Sequence, residues 1–277
     1  MQNKVVRLPA NAKGRDLIFG DIHGCFDQFE LLLAHLKFDS ENDRVFFVGD
    51  LVDRGPESMK SLELVFRPNH YSVLGNHEDM MFAAVLDSNW NQYDTWMYNG
   101  GKWATPLLAQ NRGDFLLRLT ELRDKFPYVI VVGDGFERYN IVHAELCSFS
   151  RMISDADIDN WTFNKYEENS AVWGRDMIRY VDTDWPTFQY NMSTTYCGHT
   201  PLQKVVAVRS QIYLDTGCVY AVLRKGSHTD NGLTVACHQE GKYWTLHPSD
   251  DNRISEGVLP SDDDIPSDSA PDRSSFV

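Results

Sequence analysis

Aspartate, asparagine and histidine recur in this chain just past short apolar runs. "DLIF" leads into "GDIHG" with Asp21 and His23, and "RVFFV" into "GDLVDRG" with Asp50 and Asp53. "HYSVL" leads into "GNHE" with Asn76 and His77, while His143 ends "YNIVH" and His199 follows "TTYCG". Side chains two apart on an extended segment point the same way, so Asp21 and His23 can reach one common point. A carboxylate and an imidazole converging there are ligand types for a transition metal. Five apolar strands each deliver Asp, Asn or His at the carboxyl end, the edge where open α/β sheets place their sites.

The number of such groups fits two ions better than one. Asp21, His23 and Asp50 are expected to hold the first, and Asn76, His143 and His199 the second, with the Asp50 carboxylate bridging. Two cations about 3.5–4 Å apart bind a phosphoryl oxygen, stabilise developing charge and lower the pKa of a bridging water. Ligation by nitrogen and oxygen alone suits Mn, Fe or Zn.

Positioning these residues requires strands that end together. The first half alternates β-rich runs with helical patterns: "DLIFG" then "FDQFELLLAHLKF", "RVFFVGD" then "PESMKSLELVF", "HYSVLG" then "EDMMFAAVLD". That is the rhythm of β-α units on a largely parallel sheet. The second half reads as short strands: two in "PYVIVVGDGFERYNIVHA", joined at Asp134-Gly135, then "TTYCGHT", "KVVAVRS", "QIYLDTG", "GLTVACHQ" and "KYWTLH". Residues 88–126 and 150–185 read as helical or irregular. The expected fold class is α/β, with two packed mixed β-sheets flanked by helices in one domain.

With 277 residues, 42% of them apolar, the chain can bury a full core. No apolar run is long enough for a membrane span, and the polar start "MQNKVVRLPANAKGRD" lacks the apolar centre of a signal peptide. The expectation is a cytoplasmic protein. Five cysteines without a C-x-x-C pair suggest reduced thiols rather than a disulfide framework or a cysteine zinc site. A net charge of −14 argues against nucleic-acid binding, which needs a Lys/Arg footprint. Residues 249–277 hold eight Asp/Glu and two Arg among many Ser and Pro, and read as an acidic disordered tail. The expected organisation is an N-terminal extension over 1–15, a domain over 16–248 and this tail.

The motifs "GDIHG", "GDLVDRG", "GNHE" and "GHT", in this order, resemble the signature set of the metallophosphoesterases, specifically the phosphoprotein phosphatase family. "NGG" at 99–101, "VWGRD" at 172–176, "CGHTP" at 197–201 and "YLDTG" at 213–217 extend the resemblance over roughly residues 16–220. The pattern is similar to the phage lambda type of serine/threonine phosphatase and its bacterial relatives, and implies a calcineurin-like sandwich. It implies hydrolysis of phosphomonoesters, with phosphoserine or phosphothreonine in proteins, and phosphotyrosine as a further candidate, attacked directly by a metal-bound hydroxide. Two divalent ions, with Mn expected and Fe or Zn compatible, and a phosphoprotein or phosphopeptide substrate follow from it.

The same resemblance implies that Asp53 and His77 form a dyad in which His77 protonates the departing alkoxide. It implies that Arg54 and Arg175 grip the phosphate oxygens through bidentate hydrogen bonds. One position departs from the pattern. Lambda-type phosphatases carry an arginine just before G-N-H-E, where this chain has Leu74. Leucine there is familiar in the symmetrical diadenosine tetraphosphatases, which share the metal site but often lack the acidic residue that here is Asp53. Dinucleoside polyphosphate hydrolysis is therefore the enzymatic alternative, and an inactive fold serving as a binding module the alternative of another class.

Overall fold

A strand covered on both faces sends alternate residues to opposite sides, and the apolar runs of this chain divide in that way. The computed structural model describes residues 4–180, 187–223 and 230–260. Among them run strands β1 (Val5–Leu8), β2 (Asp16–Phe19), β3 (Arg44–Phe47), β4 (His70–Ser72), β5 (Val129–Val132) and β6 (Tyr139–Val142). Then follow β7 (Thr195–Cys197), β8 (Val206–Val208), β9 (Gln211–Tyr213), β10 (Leu233–Cys237), β11 (Lys242–His247) and β12 (Arg253–Val258). They build two six-stranded sheets, in the orders β1-β5-β6-β7-β9-β8 and β12-β11-β10-β2-β3-β4.

Both sheets are mixed. β2, β3 and β4 are parallel neighbours, as are β6, β7 and β9, while β10, β11 and β12 run antiparallel beside β2. Ile18 of β2 and Phe46 of β3 pack with Ile130 and Val132 of β5 and with Ile141 and Ile212, forming the layer between the sheets. Their neighbours Leu17, Phe19, Val45 and Phe47 point outward into a core roofed by helices, and Val129 and Val131 do the same on the other sheet. Burying a ring such as Phe46 fully contributes roughly 1.5–3 kcal/mol. The result is an α/β sandwich of two mixed sheets flanked by helices, as the strand rhythm implies.

The helices that matter for the site follow the strands of the second sheet: α1 (Phe26–His35), α2 (Ser58–Leu62), α3 (Asn76–Val85) and α4 (Trp90–Asn99). Parallel strands ending in loops at one edge bring residues 20–24, 49–54 and 75–77 together. Backbone bonds strap two of these loops, with the His23 N–H donating to Asp50 O at 2.8 Å and the Gly24 N–H to Leu51 O at 2.8 Å.

Two segments expected outside the domain belong to its sheets. Within the expected extension 1–15, Val5 to Leu8 pair in parallel with Val129 to Val132 of β5. Within the expected tail, Arg253 to Val258 form β12, antiparallel to β11. The polar composition misleads there because β12 is an edge strand, held by its backbone ladder and by Glu256, which accepts from Lys242 at 2.6 Å and Trp244 at 3.1 Å, rather than by burial. Residues 1–3, 181–186 and 261–277 of the expected extension, irregular stretch and tail lie outside the described residues. All five cysteines are buried free thiols.

Candidate metal centre and its acid pair

Five residues of the strand-end motifs adopt left-handed backbone that non-glycine residues rarely occupy: His23, Asp50, Asp53, Arg54 and His199, with φ between 46° and 74°. Each costs on the order of 1–3 kcal/mol, and such strain collects where a side chain must be aimed. His23, Asp50 and His199 share one aim. His23, Asp50 and His77 form one group of ligand atoms within 4.8 Å of one another, and Asp50, His143 and His199 form a second. Asp50 belongs to both, and His23, Asp50, His77, His143 and His199 are all buried.

The hydrogen bonds fix which nitrogens are free to bind. His23 Nδ1 donates to Val52 O at 2.9 Å and His143 Nδ1 to Val48 O at 2.7 Å, so each turns its Nε2 lone pair inward. His143 Nε2 then lies 3.0 Å from Asn76 Oδ1, 3.1 Å from His199 Nδ1 and 3.4 Å from Asp50 Oδ1. Asn76 Oδ1 is also 2.8 Å from His199 Nδ1. Burial keeps these rings neutral: it lowers His143, holds His23 well below the usual imidazole range, and, aided by His143, takes His199 to about 2. Burial works to raise Asp50, and positive charge among His143, His77, His23 and His199 works the other way and holds it below the usual carboxylate range; with His23, His143 and His199 neutral, a cation bound among them would supply that charge. Neutral imidazoles and an ionised carboxylate, crowded with lone pairs converging, are a donor set that fits divalent cations.

Asp21 stands beside these groups. Its carboxylate accepts the His199 N–H at 3.1 Å on both oxygens, and burial, Asp215 and Asp50 push it well above the usual range. The approach is so close that a Cβ at Gly198 would lie 2.0 Å from Asp21 Oδ1, which accounts for the glycine of "CGHTP". The three-residue group near the first expected ion therefore contains His77 where the strand spacing placed Asp21.

His77 is the second residue of α3, and its ring is fixed by Asp53, whose Oδ2 accepts from Nδ1 at 2.6 Å. Its Nε2 faces Asp50 Oδ2 at 3.9 Å. Both members of the pair are buried to 1% exposure or less. Arg54 donates to His23 Nε2 at 2.7 Å, resting against the lone pair that a cation would use, and Arg175 donates to His199 O at 3.3 Å. Leu74 packs in the core under the second sheet with its N–H on Pro127 O at 2.8 Å, and so presents no polar group to the site.

The glutamate beside His77, which the sequence offers either as a partner of the site or as a helix-start residue, braces this centre. Glu78, fully buried, accepts the backbone N–H groups of Asp50 at 2.9 Å, Leu51 at 2.9 Å, Val52 at 3.2 Å and Gly75 at 3.2 Å. It ties the "GDLVD" loop to the start of α3, while burial and the Asp50 charge raise its carboxyl to about 8. The glutamate of "GNHE" at the third position of a helix was the available signal.

The chain belongs to the calcineurin-like phosphoesterases, which it matches over residues 15–215. It is 30% identical over 210 residues to serine/threonine-protein phosphatase 1 of Salmonella typhimurium, covering 73% of this chain and 86% of that protein. It is 30% identical over 177 residues to a symmetrical bis(5'-nucleosyl)-tetraphosphatase of Vibrio vulnificus, covering 59% of this chain and 63% of that one. In fold it is similar to a protein serine/threonine phosphatase from Saccharomyces cerevisiae, with a TM-score of 0.57 at 16% identity over 94% of this chain and 84% of that one. Membership makes the protein a phosphatase of a family that uses divalent metals. Among the described residues, no helix is long and apolar enough to cross a membrane.

Proposed function

We propose that this phosphatase hydrolyses phosphomonoesters of serine and threonine in proteins, with tyrosine phosphate also accepted. The carrying observation is the buried Asp53–His77 pair, bonded at 2.6 Å beside Asp50. An alkoxide leaves poorly without a proton, and a histidine held in one tautomer by a carboxylate can deliver it. An anhydride needs no such help, because its nucleotide leaving group is stable as an anion.

In this reading Asp21, His23 and Asp50 hold one ion and Asp50, Asn76, His143 and His199 the other, with manganese as the working metal. Bound there, the ions supply charge neutralisation at the phosphoryl group and activation of a water molecule. Arg54 and Arg175 orient the phosphate oxygens, and His77 holds a proton on Nε2 for the departing oxygen while Asp53 fixes Nδ1. The cytoplasm is part of the proposal, since five unpaired thiols persist there.

Leu74 favours a second reading. A leucine in the core replaces a phosphate-binding arginine, and the Vibrio relative is named as a symmetrical bis(5'-nucleosyl)-tetraphosphatase. The two separate by kcat/KM on phosphoserine or phosphothreonine peptides and on diadenosine tetraphosphate, at one Mn²⁺ concentration. Faster peptide turnover is expected; a preference of about tenfold for the dinucleotide, about 1.4 kcal/mol, moves the protein to the second reading.

A further inference from the structure

The "NGG" of residues 99–101 sits between two tryptophans, Trp96 and Trp103, in the order W-x-x-N-G-G-x-W. Both indoles turn to the same carboxylate. Trp103 Nε1 donates to Asp53 Oδ1 at 2.7 Å, and Trp96 Nε1 reaches Oδ1 and Oδ2, each at 3.0 Å. Asp53 is fully buried and Trp96 fully buried, and the two indoles meet edge to face at 6.2 Å and 87°. Trp103 is braced in turn by Phe115, at 6.1 Å and 88°.

The glycines make this approach possible. Gly100 ends α4 at a φ of 126°, and a Cβ there would lie 2.7 Å from Arg54 N and 3.1 Å from Asp53 Cβ. A Cβ at Gly101 would lie 2.5 Å from the Trp96 ring. Any larger residue at either place pushes the chain off the acid pair.

We propose that Trp96 and Trp103 are positioning residues, an indole clamp that holds the Asp53 carboxylate in the one orientation that aligns His77 for proton delivery. The inference rests on the acid role given to His77 above. A carboxylate offers about four lone-pair sites. The clamp occupies those on Oδ1 and shares Oδ2, leaving one direction for His77 Nδ1. Indoles are also neutral donors. They satisfy the buried oxygens without cancelling the negative charge that His77 faces, which a bidentate arginine would do.

The clamp and the acid role are tested separately. In indole ¹H–¹⁵N spectra of the full chain loaded with diamagnetic Zn²⁺, Asp53→Asn leaves one oxygen for three donors, so at least one of the two indole signals must move upfield. If neither the Trp96 nor the Trp103 signal moves, the clamp is overturned, whatever the kinetics. In the Mn²⁺-loaded chain, Trp96→Phe and Trp103→Phe are expected to lower kcat on a phosphoserine peptide about tenfold, with KM and the rate on an aryl phosphate changed by no more than about twofold. Equal losses on both substrates, or an unchanged peptide rate, overturn the positioning role. His77→Asn, run alongside, judges the acid assignment by the same split between leaving groups; if it alone fails to discriminate, the functional reading falls while the indole spectra still decide the clamp.

Discussion

The two ends of β2 carry the same residue type in opposite circumstances. At its start the Asp16 carboxylate is fully matched: Arg44 grips both oxygens at 2.7 Å, and Tyr139 at 2.6 Å and Gln239 at 2.9 Å donate to Oδ2. Just past its end, Asp21 meets the like charges of Asp50 and Asp215 among neutral imidazoles. One end joins β2, β3, β6 and the turn after β10 in a closed network. The other gathers lone pairs and strained backbone, and Arg54 there donates to the His23 imidazole rather than to a carboxylate. Carboxylates of equal burial thus serve stability at the amino end of the sheet and function at the carboxyl end, and the arginine makes the difference.

Asp50→Asn breaks the functional end most severely. It removes a charge shared by both ligand groups while keeping an oxygen for the His77 N–H, now at 3.0 Å. Aryl phosphatase activity with Mn²⁺ should fall by about 10³-fold or more, roughly 4 kcal/mol, in a variant that still folds. A folded variant with near-parent activity, or one that fails to fold at all, would contradict the division between the two ends.

The converse change is Asp16→Asn. It leaves the Arg44 guanidinium, 11% exposed, facing an amide, and breaking such a buried pair is expected to cost about 3 kcal/mol of unfolding free energy by denaturant titration. Activity per folded molecule should stay within about twofold, since the network lies at the far end of the strands. A fall in activity without a fall in stability would show that the two ends are coupled.

How much of this was legible in the sequence follows the same division. The strands, their alternating faces and the motifs at their carboxyl ends could be read because each is a local pattern: Ile18 between Leu17 and Phe19, or a glycine-fenced Asp and His after an apolar run. Groups that join distant segments could not. Asp16 meets Gln239 between neighbouring strands of one sheet, and Trp103 meets Asp53 through a helical turn packed over the loop after β3, with no periodicity to announce either. β1 and β12 escaped because edge strands rely on the backbone ladder, which composition does not record. The spacing argument for Asp21 assumes extended geometry that the left-handed turn at His23 replaces, so its ligand role stands as part of the proposal rather than as a consequence of strand alternation.

The smallest expected effect isolates the like charges themselves. Asp215 keeps one oxygen on the Gly217 N–H at 2.9 Å, while burial and then the Asp50 charge, against that bond, raise its carboxyl to about 6. A carboxyl raised in the folded state holds its proton at pH values where the unfolded chain has lost it. Its contribution to stability is therefore present at low pH and is lost as pH climbs from about 4 to about 6, after which it is constant. Asp215→Asn cannot titrate and retains the acceptor for Gly217. In the metal-free protein the variant should thus gain on the parent by on the order of 2–3 kcal/mol between about pH 4 and pH 7, read as the difference between two denaturant titrations. Divalent cations offset the repulsion among Asp21, Asp50 and Asp215, so loading with Mn²⁺ should shrink that gain. A stability difference that is flat with pH, or indifferent to metal, would mean that the carboxyl end of the sheets is as well neutralised by the chain as the Asp16 end, and the contrast between them would fall.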